Sequence, residues 1–234
     1  MTEKEYWRQN LWHPDWYLRL KGYLEKEIFP IVNDKEIKKK RHVFYETVEE
    51  MLVAHEIPLA NKGPNYDEER KQVDTIIIHH TSEEPDIRLS KLSAIGFVRQ
   101  YGKDYSKNDV LGYNVKGKPI WSNHFKDGRM VFFAYHWLIR GDGRAERLLE
   151  DHQIGWQSGA WDINTRSIAI SLSGDYSNSF PSEQQISTIK KVIRERYSHV
   201  EKDRIIGHRE MNNKTTCPGN KFLGDEGWRN MILA

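Results

Sequence analysis

Cys217 is the single cysteine of this 234-residue chain, and its surroundings also carry a histidine: IIGHREMNNKTTCPG, Ile205 to Gly219. The apolar pair Ile205 and Ile206 delivers His208, and Pro218-Gly219 turns the chain directly after Cys217. Imidazole and thiolate both suit zinc, so a His and a Cys at the two ends of one loop make half of a metal site. Each has a plainer reading alone, since a lone cysteine is commonly a small buried hydrophobe. A second chemistry is a cysteine nucleophile with His208 as its base. Such a thiol is commonly activated at a helix N-terminus, and Pro-Gly directly after Cys217 argues against a helix start there.

The elements that must position these groups narrow the choice. In VDTIIIHHTS three consecutive Ile bounded by polar residues predict a strand buried on both faces, as at the centre of an α/β sheet. Side chains alternate across a strand, so His79 and His80 point to opposite faces and one of them can enter a given site. A strand over Arg204–Gly207 leads into His208, so His79 and His208 both stand at strand ends, where ligand sites of α/β sheets lie. Two His and one Cys make three ligands, the number a catalytic zinc uses while keeping a fourth position for water. Water there becomes nucleophilic near neutral pH and the metal polarises the carbonyl under attack.

The rest of the chain supplies alternating strands and helices. AYHWLIRGDGRAERLLE reads as two strands joined in a hairpin through Gly141-Asp142-Gly143, and SIAISLSG (Ser167–Gly174) as another strand. Asp86 is placed to cap a helix carrying Ile87, Leu92, Ile95, Val98 and Tyr101 up to Gly102. Ser182 and Gln185 have capping-box spacing ahead of a helix lined by Ile186, Ile189 and Ile193. A last short helix is expected through Trp228 to Leu233, and residues 103–133 read as irregular with short strands. The predicted fold is α/β, a mixed central sheet flanked by helices and preceded by a small helical segment. That segment spans 1–57: one helix starting near Asp15, and a second starting at Asn33 or Asp34 with Phe44, Val48 and Met51 on one stripe. Its basic run Lys38–Arg41 reads as a solvated face. A linker over 58–69 (PLANKGPNYD within it) separates this segment from a domain over 70–234.

Composition bounds the function. Lys plus Arg number 36 against 34 Asp plus Glu, so no global field argues for nucleic acid. No apolar run approaches the length of a membrane span. One cysteine excludes an internal disulfide framework. MTEKEYWRQNLW shows no secretory signal pattern, so synthesis in the cytoplasm is expected, with any action on a cell wall following lysis or non-classical export.

The segments IIIHHTS, AYHWLIRGDG, NTRSIAISLSGDY and IIGHREMNNKTTCPG, in that order, resemble the zinc-dependent N-acetylmuramoyl-L-alanine amidases. That family includes phage amidase endolysins and animal peptidoglycan recognition proteins, and the resemblance covers roughly residues 72–230. It implies one catalytic zinc held by His79, His208 and Cys217, and peptidoglycan or muropeptides as partner. It implies catalytic roles for Tyr135, as oxyanion donor, and for Thr215, two residues before the Cys, with Lys214 beside it. Recycling relatives carry Glu where this chain has Ser171, and many members carry His where this chain has Gln157, which can still hydrogen-bond a substrate. Trp156, Trp161 and Asn164 join Gln157 as substrate-binding candidates, with packing as their plainer reading. His80 and His136 read as structural, and His124 and His152 as surface residues. The implied activity is hydrolysis of the amide between N-acetylmuramic acid and L-alanine; the alternative is a recognition module of the same fold that binds peptidoglycan without cutting it.

Overall fold

In a computed structural model, residues 1–30 and 35–234 are described. Seven strands form among them: β1 (Thr75–His80), β2 (Phe125–Lys126), β3 (Arg129–Met130), β4 (Trp137–Ile139), β5 (Ala145–Arg147), β6 (Ser167–Leu172) and β7 (Ile205–Gly207). Helices are α1 (Glu3–Leu11), α2 (Trp16–Arg19), α3 (Lys21–Tyr23), α4 (Lys35–Val53), α5 (Leu89–Gly96), α6 (Lys103–Tyr105), α7 (Trp161–Arg166), α8 (Glu183–Arg196), α9 (His208–Met211) and α10 (Trp228–Leu233). The fold is α/β, with a mixed five-stranded sheet of order β5-β4-β6-β1-β7. The chain divides into two units, one of residues 1–65 with 88–132, the other of residues 66–87 with 133–234.

In the sheet-bearing unit, β1 lies between β6 and β7 and runs parallel to both; β5 is the antiparallel edge, formed by the Gly141–Gly143 hairpin. All six residues of β1 and of β6 are buried, which is why these strands read as near-continuous apolar runs. Ile76, Ile78, Ile168, Ile170 and Leu172 form one apolar layer with Ile186, Ile189 and Val192 of α8 and Trp228 and Ile232 of α10. The start of α8 is fixed as its spacing predicts, with the Ser182 hydroxyl accepting from the Gln185 N–H and Gln185 Oε1 accepting from the Ser182 N–H.

The helical unit differs from the sequence reading in several places. Its first helix begins at Glu3, not near Asp15, because Thr2 and Glu5 form a full capping box. Trp16, Leu20 and Leu24 are buried, as their spacing predicts, on the short turns that follow α1. The expected start of the second helix at Asn33 or Asp34 lies outside the described residues; within α4, Phe44, Val48 and Met51 are fully buried. Arg41 is not on a solvated face: it is buried and donates to the Glu27 and Pro30 carbonyls, satisfying the end of the preceding turn. The helix after Pro85 starts at Leu89 with Arg88 as its N-cap, so Asp86 does not cap it, and its register loosens into a π-turn over Phe97–Gly102. His124, expected at the surface, is 2% exposed. Among the described residues no helix is long and apolar enough to cross a membrane.

Candidate metal centre

The period of two along β1 sends Ile76, Ile78 and His80 into the apolar layer's side of the sheet and Thr75, Ile77 and His79 to the other. His80 accepts from the Tyr176 N–H at Nδ1, 2.9 Å, with Ser82 Oγ 3.1 Å from its Nε2, a structural role as expected. His79 emerges on the polar face. His208 opens α9 directly after β7, where Gly207 ends the strand and its N–H is held by Glu210 at 2.6 Å. The chain then loops back through Cys217, whose carbonyl accepts from the Arg209 N–H at 2.7 Å. Gly219 follows with φ of 140° against the Tyr176 carbonyl, a position where a Cβ would collide, so Pro218-Gly219 closes the loop tightly.

These three paths converge. One ligand atom from each of His79, His208 and Cys217 lies within 4.8 Å of the others. His79 Nδ1 is 3.7 Å from Cys217 Sγ, and the two imidazole rings are 4.6 Å apart. His79 is fully buried, and burial, then the neighbouring His208, holds its pKa well below the ordinary histidine range, against a hydrogen bond to Gln157 that raises it. Burial lowers His208 to about 4, opposed by the Ser158 backbone carbonyl, which accepts from the imidazole and raises it. Burial pushes the Cys217 thiol up to about 12, opposed by the His80 N–H, which points at Sγ from 3.5 Å. At neutral pH the protein alone therefore gathers two neutral imidazoles and an un-ionised thiol.

The donor set fits a zinc ion. It is two imidazoles and a sulfur, His208 Nε2 is buried with no hydrogen-bond partner among the described residues, and His79 has its Nε2 committed to Gln157 so that Nδ1 faces Cys217. The same surroundings oppose a cysteine nucleophile, which needs a depressed thiol pKa and not a raised one.

The remaining candidates fall into two groups. Tyr135 precedes β4 and lies over His79, ring centroids 5.0 Å apart, while its neighbour His136 turns away and ties Ala169 N–H to Nδ1 and its Nε2 to the Gln153 carbonyl. Thr215 stands in the ligand loop, its hydroxyl accepting from the Cys217 N–H at 3.1 Å. Gln157 is 5% exposed and bonded to His79 Nε2 at 2.6 Å and to Ser167 Oγ at 3.0 Å, so it stands behind the histidine. Asn164 is also buried, its oxygen turned to the backbone of residues 157–158. Trp156 packs on Tyr66 and Trp161, and Trp161 Nε1 donates to Glu69 at 2.6 Å, a separate aromatic cluster. The His80 N–H at Cys217 escapes a sequence reading, because it is a main-chain atom that no residue type announces. Ser171 is paired in register with His79, and its buried hydroxyl has no hydrogen-bond partner among the described residues.

The chain is similar to several known proteins. A Peptidoglycan-recognition protein 1 of Holotrichia diomphalia is 26% identical over 123 residues, 53% of this chain and 51% of that protein. The chain thus spans about half the length of the curated relative it matches. Among solved structures, the N-acetylmuramoyl-L-alanine amidase LysC from Clostridium intestinale is 18% identical with a TM-score of 0.48, covering 75% of this chain and 94% of that one. The Manduca sexta Peptidoglycan Recognition Protein-1 is 23% identical with a TM-score of 0.37, covering 64% and 74%. The family model described as N-acetylmuramoyl-L-alanine amidase matches residues 69–220, which include all three converging ligands, and the chain belongs to that family.

Proposed function

We propose that the chain is a zinc-dependent amidase that hydrolyses the bond between the lactyl group of N-acetylmuramic acid and the L-alanine of the stem peptide. The observation that carries this reading is the convergence of His79, His208 and Cys217 at the strand ends, within one metal's reach, in a chain of this family. His79 through Nδ1, His208 through Nε2 and Cys217 through Sγ would hold the zinc. Zinc supplies a Lewis acid for the scissile carbonyl and makes water nucleophilic near neutral pH.

The chain's own residues supply the rest. Tyr135, beside His79, carries a phenol that can donate to the oxygen on which negative charge develops. Thr215 accepts from the Cys217 N–H and so shapes the ligand loop, while its own hydroxyl proton remains available to donate. Burial keeps both imidazoles unprotonated and therefore ready to ligate at neutral pH. The strand position paired with His79 is Ser171, so no carboxylate base is offered there.

Metal analysis of the purified protein, with muropeptide cleavage followed as newly freed L-alanine amine, tests the proposal. Near-stoichiometric zinc is expected, with activity lost on exhaustive chelation and in His208→Ala. Absence of zinc, or full cleavage by His208→Ala, would sink it; activity that survives chelation would favour the cysteine nucleophile. The match to a protein named for peptidoglycan recognition favours a second reading, a binding module. Zinc-loaded protein that retains cell wall and frees no amine would establish that reading instead.

A further inference from the structure

One short loop reaches the His79 imidazole from behind. Gln157 Oε1 accepts from His79 Nε2 at 2.6 Å, and Gln157 Nε2 donates to Ser167 Oγ at 3.0 Å. His79 lies near the end of β1 and Ser167 opens β6, so Gln157 spans from the candidate ligand to the neighbouring strand. One side-chain atom gathers the backbone of this loop. Asn164 Oδ1 accepts from the Gln157 N–H at 3.3 Å and the Ser158 N–H at 2.9 Å, and lies 2.7 Å from Ser158 Oγ. Two main-chain donors facing one side-chain atom identify it as the amide oxygen. Asn164 is 5% exposed, and this oxygen is committed to the loop. It stands on α7, which runs directly into β6, the strand paired along β1. The orientation of the His79 imidazole is thus referred, through this oxygen and Gln157, to the same sheet that carries His79.

We infer that Asn164 is a positioning residue that holds the Gln157 loop against His79, fixes the orientation of that imidazole and thereby sets the metal affinity of the site. The inference rests on the reading of His79, His208 and Cys217 as a metal site. Removing the Asn164 oxygen leaves the buried Ser158 N–H unpaired and the Gln157 N–H with only its 3.1 Å bond to the Gly155 carbonyl, so the loop must shift. That shift carries away the Gln157 bond to His79. Loss of one outer partner of a metal-bound histidine costs about 10–100-fold in affinity.

The test is zinc affinity measured by competition with a chromophoric chelator, alongside the thermal midpoint of each metal-free protein. Asn164→Ala and Gln157→Ala are each expected to bind zinc about 10-fold more weakly than wild type. Asn164→Asp keeps an acceptor in place and is expected to bind within about threefold of wild type. The control is Thr165→Ala, which removes a 2.8 Å hydroxyl bond to the Asp162 carbonyl on the same helix and touches neither residue 157 nor 158. It should lower the midpoint without the affinity loss. Wild-type affinity in Asn164→Ala overturns the inference, as does equal weakening in Asn164→Asp, or in Thr165→Ala at a matched midpoint. Should Asn164→Ala fail to fold, Asn164→Ser, too short to reach both N–H groups, is judged by the same outcomes. Wild-type protein that binds no zinc instead removes the metal-site reading itself.

Discussion

On one face of β1 and β6 lie Ile76, Ile78, Ile168, Ile170 and Leu172; on the other lie Thr75, His79, Ser167 and Ser171 beside Ile77 and Ala169. Both faces are buried, yet they are buried by different means. The first is closed by α8 and α10, whose Ile, Val and Trp side chains make a continuous apolar layer. The second is closed by loops that bring polar partners, with Gln157 held between His79 and Ser167. An apolar layer stabilises without direction, whereas hydrogen bonds fix where each atom points. The strands therefore keep stability on one side and geometry on the other. A site that must hold imidazoles at set angles gains from resting on a rigid layer it does not share.

Substitutions on the two sides should separate these roles. The largest effect belongs to the apolar face: Ile170→Ala, at a position with no exposed surface between β4 and β1, is expected to cost about 2–5 kcal/mol of stability. Chemical denaturation reads that loss; zinc affinity of the folded fraction should stay at the wild-type value.

The next effect comes from the polar side of β4. His136 is buried, and burial first, then the nearby Arg70 charge, lowers its pKa to about 3 from the ordinary 6.5. The unfolded chain takes up a proton near pH 6.5 that the native protein refuses until about pH 3, so stability is lost as pH falls through that window. Between pH 7 and 5 the wild type should lose roughly 2 kcal/mol more than His136→Gln, as measured by urea midpoints at both pH values. Equal losses in the two proteins would show that His136 is not held neutral.

The smallest effect has the opposite sign. Ser171 Oγ is buried without a hydrogen-bond partner among the described residues, so Ser171→Ala removes a desolvated hydroxyl and should raise stability by about 1 kcal/mol. A fall in stability would mean that the hydroxyl has a partner on the polar face, and the contrast between truncating Ile170 and truncating its neighbour Ser171 would vanish.

Legibility in the sequence followed the same division. The apolar face could be read from residue types: the Ile run of β1, SIAISL of β6, the Ser182–Gln185 cap and the stripe of α8 all stand where their periodicity places them. The opposed directions of His79 and His80 followed from strand geometry alone. Other features were hidden for physical reasons. Thr2 and Glu5 carry a capping-box spacing, but without a clear apolar repeat behind it the sequence points to a first helix starting near Asp15 instead. Gln157 reads from its sequence as a group for substrate; its contact with His79 exists because a loop folds across the sheet, which no local pattern encodes. Nor does any spacing show that residues 88–132 cluster with the N-terminal helices, because that grouping is a matter of long-range contacts.

The order of the strands has a consequence for how the molecule is made. Thr75 pairs with Ser167 and Ile76 with Ile205, both in parallel register. A chain emerging from the ribosome therefore carries TIIIHH without either lateral neighbour until Ser167–Leu172 and Ile205–Gly207 have been synthesised. Pairing between such distant segments is slow, and an apolar strand with two open edges invites association with other chains. His79 waits on the same event, since His208 and Cys217 lie beyond the last strand to join. The completion of the sheet and the gathering of the three candidate ligands therefore wait on the same segment, and nascent chains that stall before β7 hold neither.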